Sequence, residues 1–326
     1  MIETIRGQNL LSLNDLSKEA IIEILNEAES FVEVNERAIK KVPALKGRVV
    51  ASLFFEESTR TRLSFETAAK RLSADVLSLA VASSSVKKGE SLRDTIATVD
   101  ALGIDAVVLR HASSGAAEQV SRYVPHVRVI NAGDGQHQHP TQGLLDAFTI
   151  RQTLAERKGV DPIASGASLF EGLKVLIVGD IRHSRVARSD IAAYTSLGAE
   201  VRVAGPPTLL PQSLAEWGAT FAPNFEEALR WADVVGLLRL QRERGTGSFV
   251  PTLDEYTSTY GLTQERARLL KPEALIMHPG PMNRGVEVDS KVADGPQAII
   301  RRQVSNGVPV RMAVLYLSIA GLGGAK

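Results

Sequence analysis

Along the 326 residues, short apolar runs alternate with stretches in which apolar positions return every three or four residues. In residues 16–34, Ile21, Ile22, Leu25, Ala28 and Val32 fall close to helical spacing. Residues 49–55, VVASLFF, are apolar and short enough for a buried strand. The pattern then predicts a helix over 59–72, strands over 74–79, 106–109 and 127–130, and a helix over 91–102. Residues 157–172, RKGVDPIASGASLFEG, scatter Gly, Pro and Ser without a steady period, as a linker or surface loop does. A second series opens with LKVLIVGD and continues with a helix over 185–197, a strand EVRVAG at 200–205 and a strand over 233–238. A last strand, 274–277, ends on His278-Pro279-Gly280-Pro281, and residues 298–322 read as one or two helices. Continuous apolar strands alternating with helices imply parallel sheets covered on both faces. The fold class predicted is α/β, with two doubly wound parallel-sheet domains, in keeping with the length.

Composition narrows the chemistry. Hydrophobic residues make up 44% and charged residues 23%, enough to build sizeable cores and far from a disordered chain. The net charge of +1 offers no global field for nucleic acid or an acidic membrane, so any anion must be held by local groups. With no cysteine, disulfides, thiolate-ligated zinc and a cysteine nucleophile are excluded, which suits a reducing cytoplasm. Residues 1–10 lack the apolar core of a signal peptide, and no run reaches the 18 or so apolar residues of a membrane span.

The densest candidate chemistry is FFEESTRTR at residues 54–62, where an apolar strand turns into a helix. Unsatisfied N–H groups make such a helix start a ready anion site, and Ser58, Thr59, Arg60, Thr61 and Arg62 add hydroxyls and guanidinium forks that match phosphate oxygens. The plainer reading is a Ser58 cap before a basic surface helix. Lys87-Lys88-Gly89-Glu90-Ser91, after three serines, is by itself an ordinary solvated turn. Arg110-His111 follows a strand, and His139 and Gln142 follow the Gly-rich segment 131–135. Strand carboxyl ends are where α/β sheets bind ligands, and an imidazole and an amide can address a small carbonyl. In the second half, Gly179-Asp180-Ile181-Arg182-His183-Ser184-Arg185 again ends a strand and starts a helix without the GxGxxG of a dinucleotide site. Arg239, with Gln241, Arg242 and Arg244, follows the strand at 233–238, and two arginine forks at strand ends could grip a ligand with two carboxylates. The closely spaced prolines after His278 suggest a rigid turn that turns backbone carbonyls inward.

In order, FFEESTRTRLSFE, KKGES, RH, AGDGQHQHPTQ, VGD with Arg185, RLQRER and HPGPMNRG resemble the catalytic chains of the aspartate carbamoyltransferases, across residues 54–285. The resemblance implies transfer of the carbamoyl group of carbamoyl phosphate to L-aspartate, an early step of de novo pyrimidine biosynthesis, with no cofactor and no metal. It implies a carbamoyl-phosphate domain over 1–150, completed by a helix at 300–326, an aspartate domain over 151–299, and an active site in the cleft between them. Ser58, Thr59, Arg60 and Thr61 would then hold the phosphate, while Arg110, His139 and Gln142 address the carbamoyl end. Arg185, Arg239 and Gln241 would bind the aspartate carboxylates, the Gly280–Pro281 turn would offer backbone contacts, and Glu56 would serve domain closure. Ser84 and Lys88 match loop residues that reach a neighbouring subunit's site, which implies a homotrimer and leaves room for a regulatory chain or a dihydroorotase as further partners. Against ornithine as acceptor, Pro279 follows His278 where that branch commonly carries a cysteine. A nicotinamide oxidoreductase and a non-catalytic assembly homologue are the rival classes. The missing GxGxxG weighs against the first, the intact set of matched residues against the second.

Overall fold

A computed structural model describes residues 1–80, 90–240 and 252–320. The chain divides into two compact units, Met1–Leu145 with Ser305–Lys326, and Asp146–Val304.

The first unit begins with α1 (Lys18–Glu36), whose N-cap Ser17 accepts from Ala20 N–H at 3.2 Å. It continues through β1 (Val49–Phe54), α2 (Thr59–Arg71), β2 (Asp75–Ala80), α3 (Leu92–Asp100), β3 (Ala106–His111), α4 (Ala116–Tyr123) and β4 (Arg128–Asp134). The strands form one parallel sheet in the order β2-β1-β3-β4. Ala51, Leu53, Val107, Leu109 and Val129 of the sheet pack with Ile96 and Val99 of α3 and with Ala116, Ala117 and Val120 of α4. At the amino edge Asp105 takes both the Arg48 guanidinium (2.8 Å) and the Val49 N–H (2.8 Å), which locks β3 against β1.

A long helix, α5 (Pro140–Lys158), leads out of this unit and is followed by α6 (Pro162–Ser165). The segment predicted as linker therefore holds the end of one helix and a short second one, which starts because Asp161 caps Ile163 N–H at 2.8 Å with Pro162 at the first helical position. The second unit then runs β5 (Lys174–Val178), α7 (Arg185–Leu197), β6 (Glu200–Ala204), β7 (Ala219–Phe221), α8 (Phe225–Trp231) and β8 (Val234–Leu237). After β8 come α9 (Leu253–Tyr260), α10 (Gln264–Ala267), β9 (Leu275–Met277), α11 (Ser290–Ala293) and α12 (Ile300–Ala320), a single helix with Pro309 inside it that belongs to the first unit from Ser305 on. The sheet of the second unit is parallel throughout, in the order β7-β6-β5-β8-β9. Leu176, Val178, Val235, Leu237 and Ile276 pack with Phe225, Ala228 and Leu229 of α8. Asp233 repeats the role of Asp105: it accepts from Lys174 N–H (3.0 Å) and from Lys271 Nζ (2.6 Å). Among the described residues, no helix is long and apolar enough to cross a membrane.

Two strands run further than the apolar pattern predicts. β3 takes in Arg110 and His111, with Phe54 of β1 paired to Arg110, and β4 runs on through Asn131-Ala132-Gly133-Asp134. The extension of β4 is held from within. Asn131 Oδ1 accepts from Gly133 N–H (2.8 Å), and its Nδ2 donates to Asp134 (2.7 Å). Asp134, buried, also takes the N–H groups of Gly115 (2.7 Å) and Gln138 (3.2 Å). The turn beyond it needs glycine: at Gly135, φ is +51° and a Cβ would lie 2.5 Å from Ser114 N.

Burial alone would raise the Asp134 carboxyl, but hydrogen bonds from His137, Asn131 and Gly115 outweigh it and hold it below its ordinary 3.8. A lowered folded value means a contribution that is present above the unfolded value of 3.8 and is lost as pH falls through the folded one. Asp134→Asn is expected to cost about 1–3 kcal/mol at neutral pH. The gap to the parent in urea unfolding should close as the pH drops below 3.8; a gap that stays constant with pH would exclude this role of the charge.

Candidate active site

In the first sheet the strand order reverses between β1 and β3, since the chain leaves β1 toward β2 and then crosses back to β3. Loops that diverge at such a point open a crevice at the carboxyl edge. Ser58–Thr61 follow β1 there, Arg110 stands at the end of β3, and His139 and Gln142 follow β4. Seven of the sequence-predicted residues are thus carried to one edge of one sheet. Ser58 is the N-cap of α2, yet its side chain makes no capping bond, so the plain capping reading does not account for it. Thr59 and Arg60 are exposed and Thr61 is buried, in the first turn of the helix. Arg110 donates through Nε to Glu56 (3.2 Å) and through Nη1 to the Ala132 carbonyl (3.4 Å), which braces its fork beside the strand ends. His139 and Gln142 are buried where α5 begins, and Gln142 N–H donates to the His139 carbonyl at 2.8 Å. Thr141, wholly buried between them, has a hydroxyl without a hydrogen-bond partner among the described residues. A helix start with free-standing hydroxyls, an arginine braced by a carboxylate and a buried imidazole together suit a small anion that carries a carbonyl.

The second sheet reverses between β5 and β8. Arg185 is the first residue of α7 after β5, and Arg239 lies just beyond β8, so both flank this second crevice. Arg185 is 5% exposed. Its loop is fixed by Asp180, which accepts from His183 N–H (3.1 Å) and Nδ1 (3.0 Å), and by Ser184, which caps Ala187 N–H (3.0 Å). Gly280 and Pro281 follow β9 at the same edge, joined by a cis peptide bond. His278 Nδ1 accepts from Gly280 N–H at 2.8 Å, and its Nε2 lies 3.2 Å from the buried Glu287 carboxylate. Ser84, Lys88 and Gln241 lie outside the described residues. Among the described residues, no group of three or more His, Asp or Glu is placed to hold a metal ion.

Sequence reasoning left Asp134, Asp180 and Glu287 without roles. Two of them stand inside quoted segments, AGDGQHQHPTQ and VGD. The signal that could have found them is an acid next to a glycine turn at a strand end, where backbone N–H groups need acceptors.

Comparison with known proteins bears on both halves. Residues 8–152 match the model of the carbamoyl-P binding domain of aspartate/ornithine carbamoyltransferase, and residues 171–318 match that of its Asp/Orn binding domain. The aspartate carbamoyltransferase catalytic subunit of Pelotomaculum thermopropionicum is 55% identical over 97% of this chain and 97% of its own. That of Corynebacterium glutamicum is 50% identical over 96% and 98%. The aspartate transcarbamoylase of Trypanosoma cruzi, solved with carbamoyl aspartate and phosphate, superposes with a TM-score of 0.83 at 29% identity, covering 98% of both chains. The catalytic subunit from M. jannaschii gives 0.80 at 36% identity, over 98% of this chain and all of that one. With both of its halves matched in order and relatives at this identity over nearly their full lengths, the chain belongs to the aspartate/ornithine carbamoyltransferase family.

Proposed function

We propose that the chain transfers the carbamoyl group of carbamoyl phosphate to the amino group of L-aspartate, giving N-carbamoyl-L-aspartate and phosphate, an early step of de novo pyrimidine biosynthesis. The observation that carries the reading is the 55% identity, end to end, to an aspartate carbamoyltransferase catalytic subunit. The chemistry at the two sheet edges supports it. Ser58, Thr59, Arg60 and Thr61 take the phosphate on the start of α2. Arg110, His139 and Thr61 stabilise the charge that builds on the carbamoyl oxygen, and Gln142 addresses the carbamoyl amide. Arg185, Arg239 and Gln241 hold the two acceptor carboxylates, and Gly280 and Pro281 add backbone contacts.

Attack by the amine forms the new C–N bond and breaks the bond from the carbamoyl carbon to the bridging oxygen, which leaves with the phosphate. The amine proton departs with that phosphate, so orientation and preorganised charge do the work of catalysis. Ser84 and Lys88 complete a neighbouring subunit's site, which makes the working unit a homotrimer. Glu56 serves the change to the closed form, the enzyme works in the cytoplasm, and a regulatory chain or a dihydroorotase is a candidate companion.

The purified protein, given carbamoyl phosphate with either L-aspartate or L-ornithine, is expected to form product from aspartate alone. Product from ornithine alone would overturn the acceptor assignments and leave those for phosphate standing. Arg60→Ala should lower kcat/KM on the order of a thousandfold, about 4 kcal/mol of transition-state binding, as when a donor aimed at the developing charge is removed. Near-normal turnover of that variant in steady-state assays would remove Arg60 from the site.

A further inference from the structure

Behind the acceptor half of the site lies a buried polar chain that the reaction does not use directly. It begins with two carboxyl groups, Asp146 on α5 and Asp190 on α7, exposed by 2% and 6%. They are hydrogen-bonded to each other. Two ionised carboxylates in contact and out of water would repel strongly, so the contact requires a proton between them. Gln303, in the first turn of α12, donates from Nε2 to Asp146 Oδ1 at 2.7 Å, a bond that favours negative charge on Asp146 and the proton on Asp190. Asp190 Oδ1 has no hydrogen-bond partner among the described residues, a smaller penalty for the carbonyl of a neutral acid than for an ionised oxygen.

The chain then reaches the turn that follows β9. With its Nε2 committed to Asp146, Gln303 turns Oε1 to the His278 backbone N–H at 3.0 Å. The two partners fix the amide orientation, since a backbone N–H can only donate. The His278 ring accepts the Gly280 N–H at Nδ1 (2.8 Å), which leaves Nε2 as the donor to Glu287 Oε1 (3.2 Å). Glu287 Oε1 also takes the Asn283 N–H (2.7 Å), and Asn283 Nδ2 donates to the Leu240 carbonyl (3.2 Å), next to Arg239. One run of hydrogen bonds thus passes from α7 and α5 through α12 to the Gly280–Pro281 turn and on to the residue beside Arg239.

We propose that Asp190 and Asp146 share one proton and act as positioning residues for the acceptor, holding the Gly280–Pro281 turn through Gln303 and His278. The proposal rests on the acceptor reading given above. It differs from plain core packing, because a chain of this kind transmits only while each member keeps its donor or acceptor role.

The titratable groups around the pair agree with it. Burial, then the charge of Asp146, pushes Asp190 well above its ordinary 3.8. Tyr194, on α7, is raised by burial and then by Asp190 and Asp146, so it stays a phenol. Gln303 is the neutral contact from α12, and His278 meets the chain through its backbone N–H. Because the raised group binds a proton in the folded state that the unfolded chain has lost, stability falls as pH rises from 3.8 to the folded value.

The test uses the full-length enzyme with Asp190→Asn, which keeps a donor to Asp146 but cannot ionise, Asp190→Leu, which removes the donor, and Gln303→Met, which cuts the chain one step on. Asp190→Asn is expected to keep kcat and both KM values near the parent's at neutral pH. Asp190→Leu and Gln303→Met should raise KM for aspartate about tenfold, with KM for carbamoyl phosphate unchanged. In thermal unfolding, the Tm advantage of Asp190→Asn over the parent should widen as pH rises from 3.8. Equal rises in both KM values, or a Tm difference independent of pH, would overturn the proposal; if Asp190→Leu fails to fold, Gln303→Met decides. A parent enzyme that makes no carbamoyl aspartate would overturn the functional reading and the positioning role with it, leaving the shared proton to the unfolding comparison.

Discussion

A parallel sheet whose strand order reverses sends two neighbouring loops off its carboxyl edge in opposite directions, and that constraint governs both halves of this molecule. In the first sheet the reversal separates the loop after β1 from the end of β3, and in the second the loop after β5 from the end of β8. With a net charge of +1, the chain cannot draw anions by its overall field. It gathers positive groups at the two places where the topology leaves room for a ligand. Arg60 and Arg110 flank one reversal, Arg185 and Arg239 the other. Backbone N–H groups at the starts of α2 and α7 add to them, so the same geometry that opens each crevice makes it electropositive.

Loops that diverge in this way lack the sheet's own hydrogen bonds, and buried or half-buried acids supply the acceptors. Asp134 gathers N–H groups from two loops, Asp180 takes that of His183, and Glu287 takes that of Asn283. At the opposite edge of the sheets, Asp105 and Asp233 do the same for the N–H groups of Val49 and Lys174, each with a cation as second partner. The two units thus use the same device: an acid at a strand end takes the place of a missing backbone partner. Because an unmet buried N–H costs about as much as a lost hydrogen bond, such acids are as necessary to the loops as apolar contacts are to the sheets.

The strands and the amphipathic helices were legible because their apolar period survives in the sequence: β1, α2, β5 and α7 all lie where the pattern predicts them. α5 was not legible as a helix. Residues 141–151 are buried on every side, and Thr141, Gln142, Asp146, Thr149 and Arg151 are buried with the apolar residues, so there is no polar face to mark a period. α4, β7 and α8 are too short for a window of the usual length to detect. For the site, FFEESTRTR was readable because its residues are adjacent, Arg110 and Arg239 because each ends an apolar run, and His139 and Arg185 because each stands in the turn that follows one. The carboxyl pair was hidden, since Asp146 and Asp190 stand 44 positions apart in helices whose packing no local pattern records. Resemblance to a family named the roles of the first group and was silent on the second.

Choice of acceptor follows from the asymmetry between adding and removing charge. Arg185 is 5% exposed, so its guanidinium has already given up most of its water. On the reading proposed here, a carboxylate replaces that water with charge-assisted bonds that can be bidentate. An acceptor with a cationic side chain would supply no such bonds and would add repulsion. One such mismatch at a largely desolvated site costs several kcal/mol, more than a difference of a methylene or two in a pocket can supply. Selectivity for a dianionic acceptor is therefore a matter of which charges are already buried before the acceptor arrives. It requires the groups behind the arginines to be rigid, because a guanidinium free to swing back into water would accept either ligand. The fixed Asp180–His183 loop on one side and the chain through His278, Glu287 and Asn283 on the other meet that requirement.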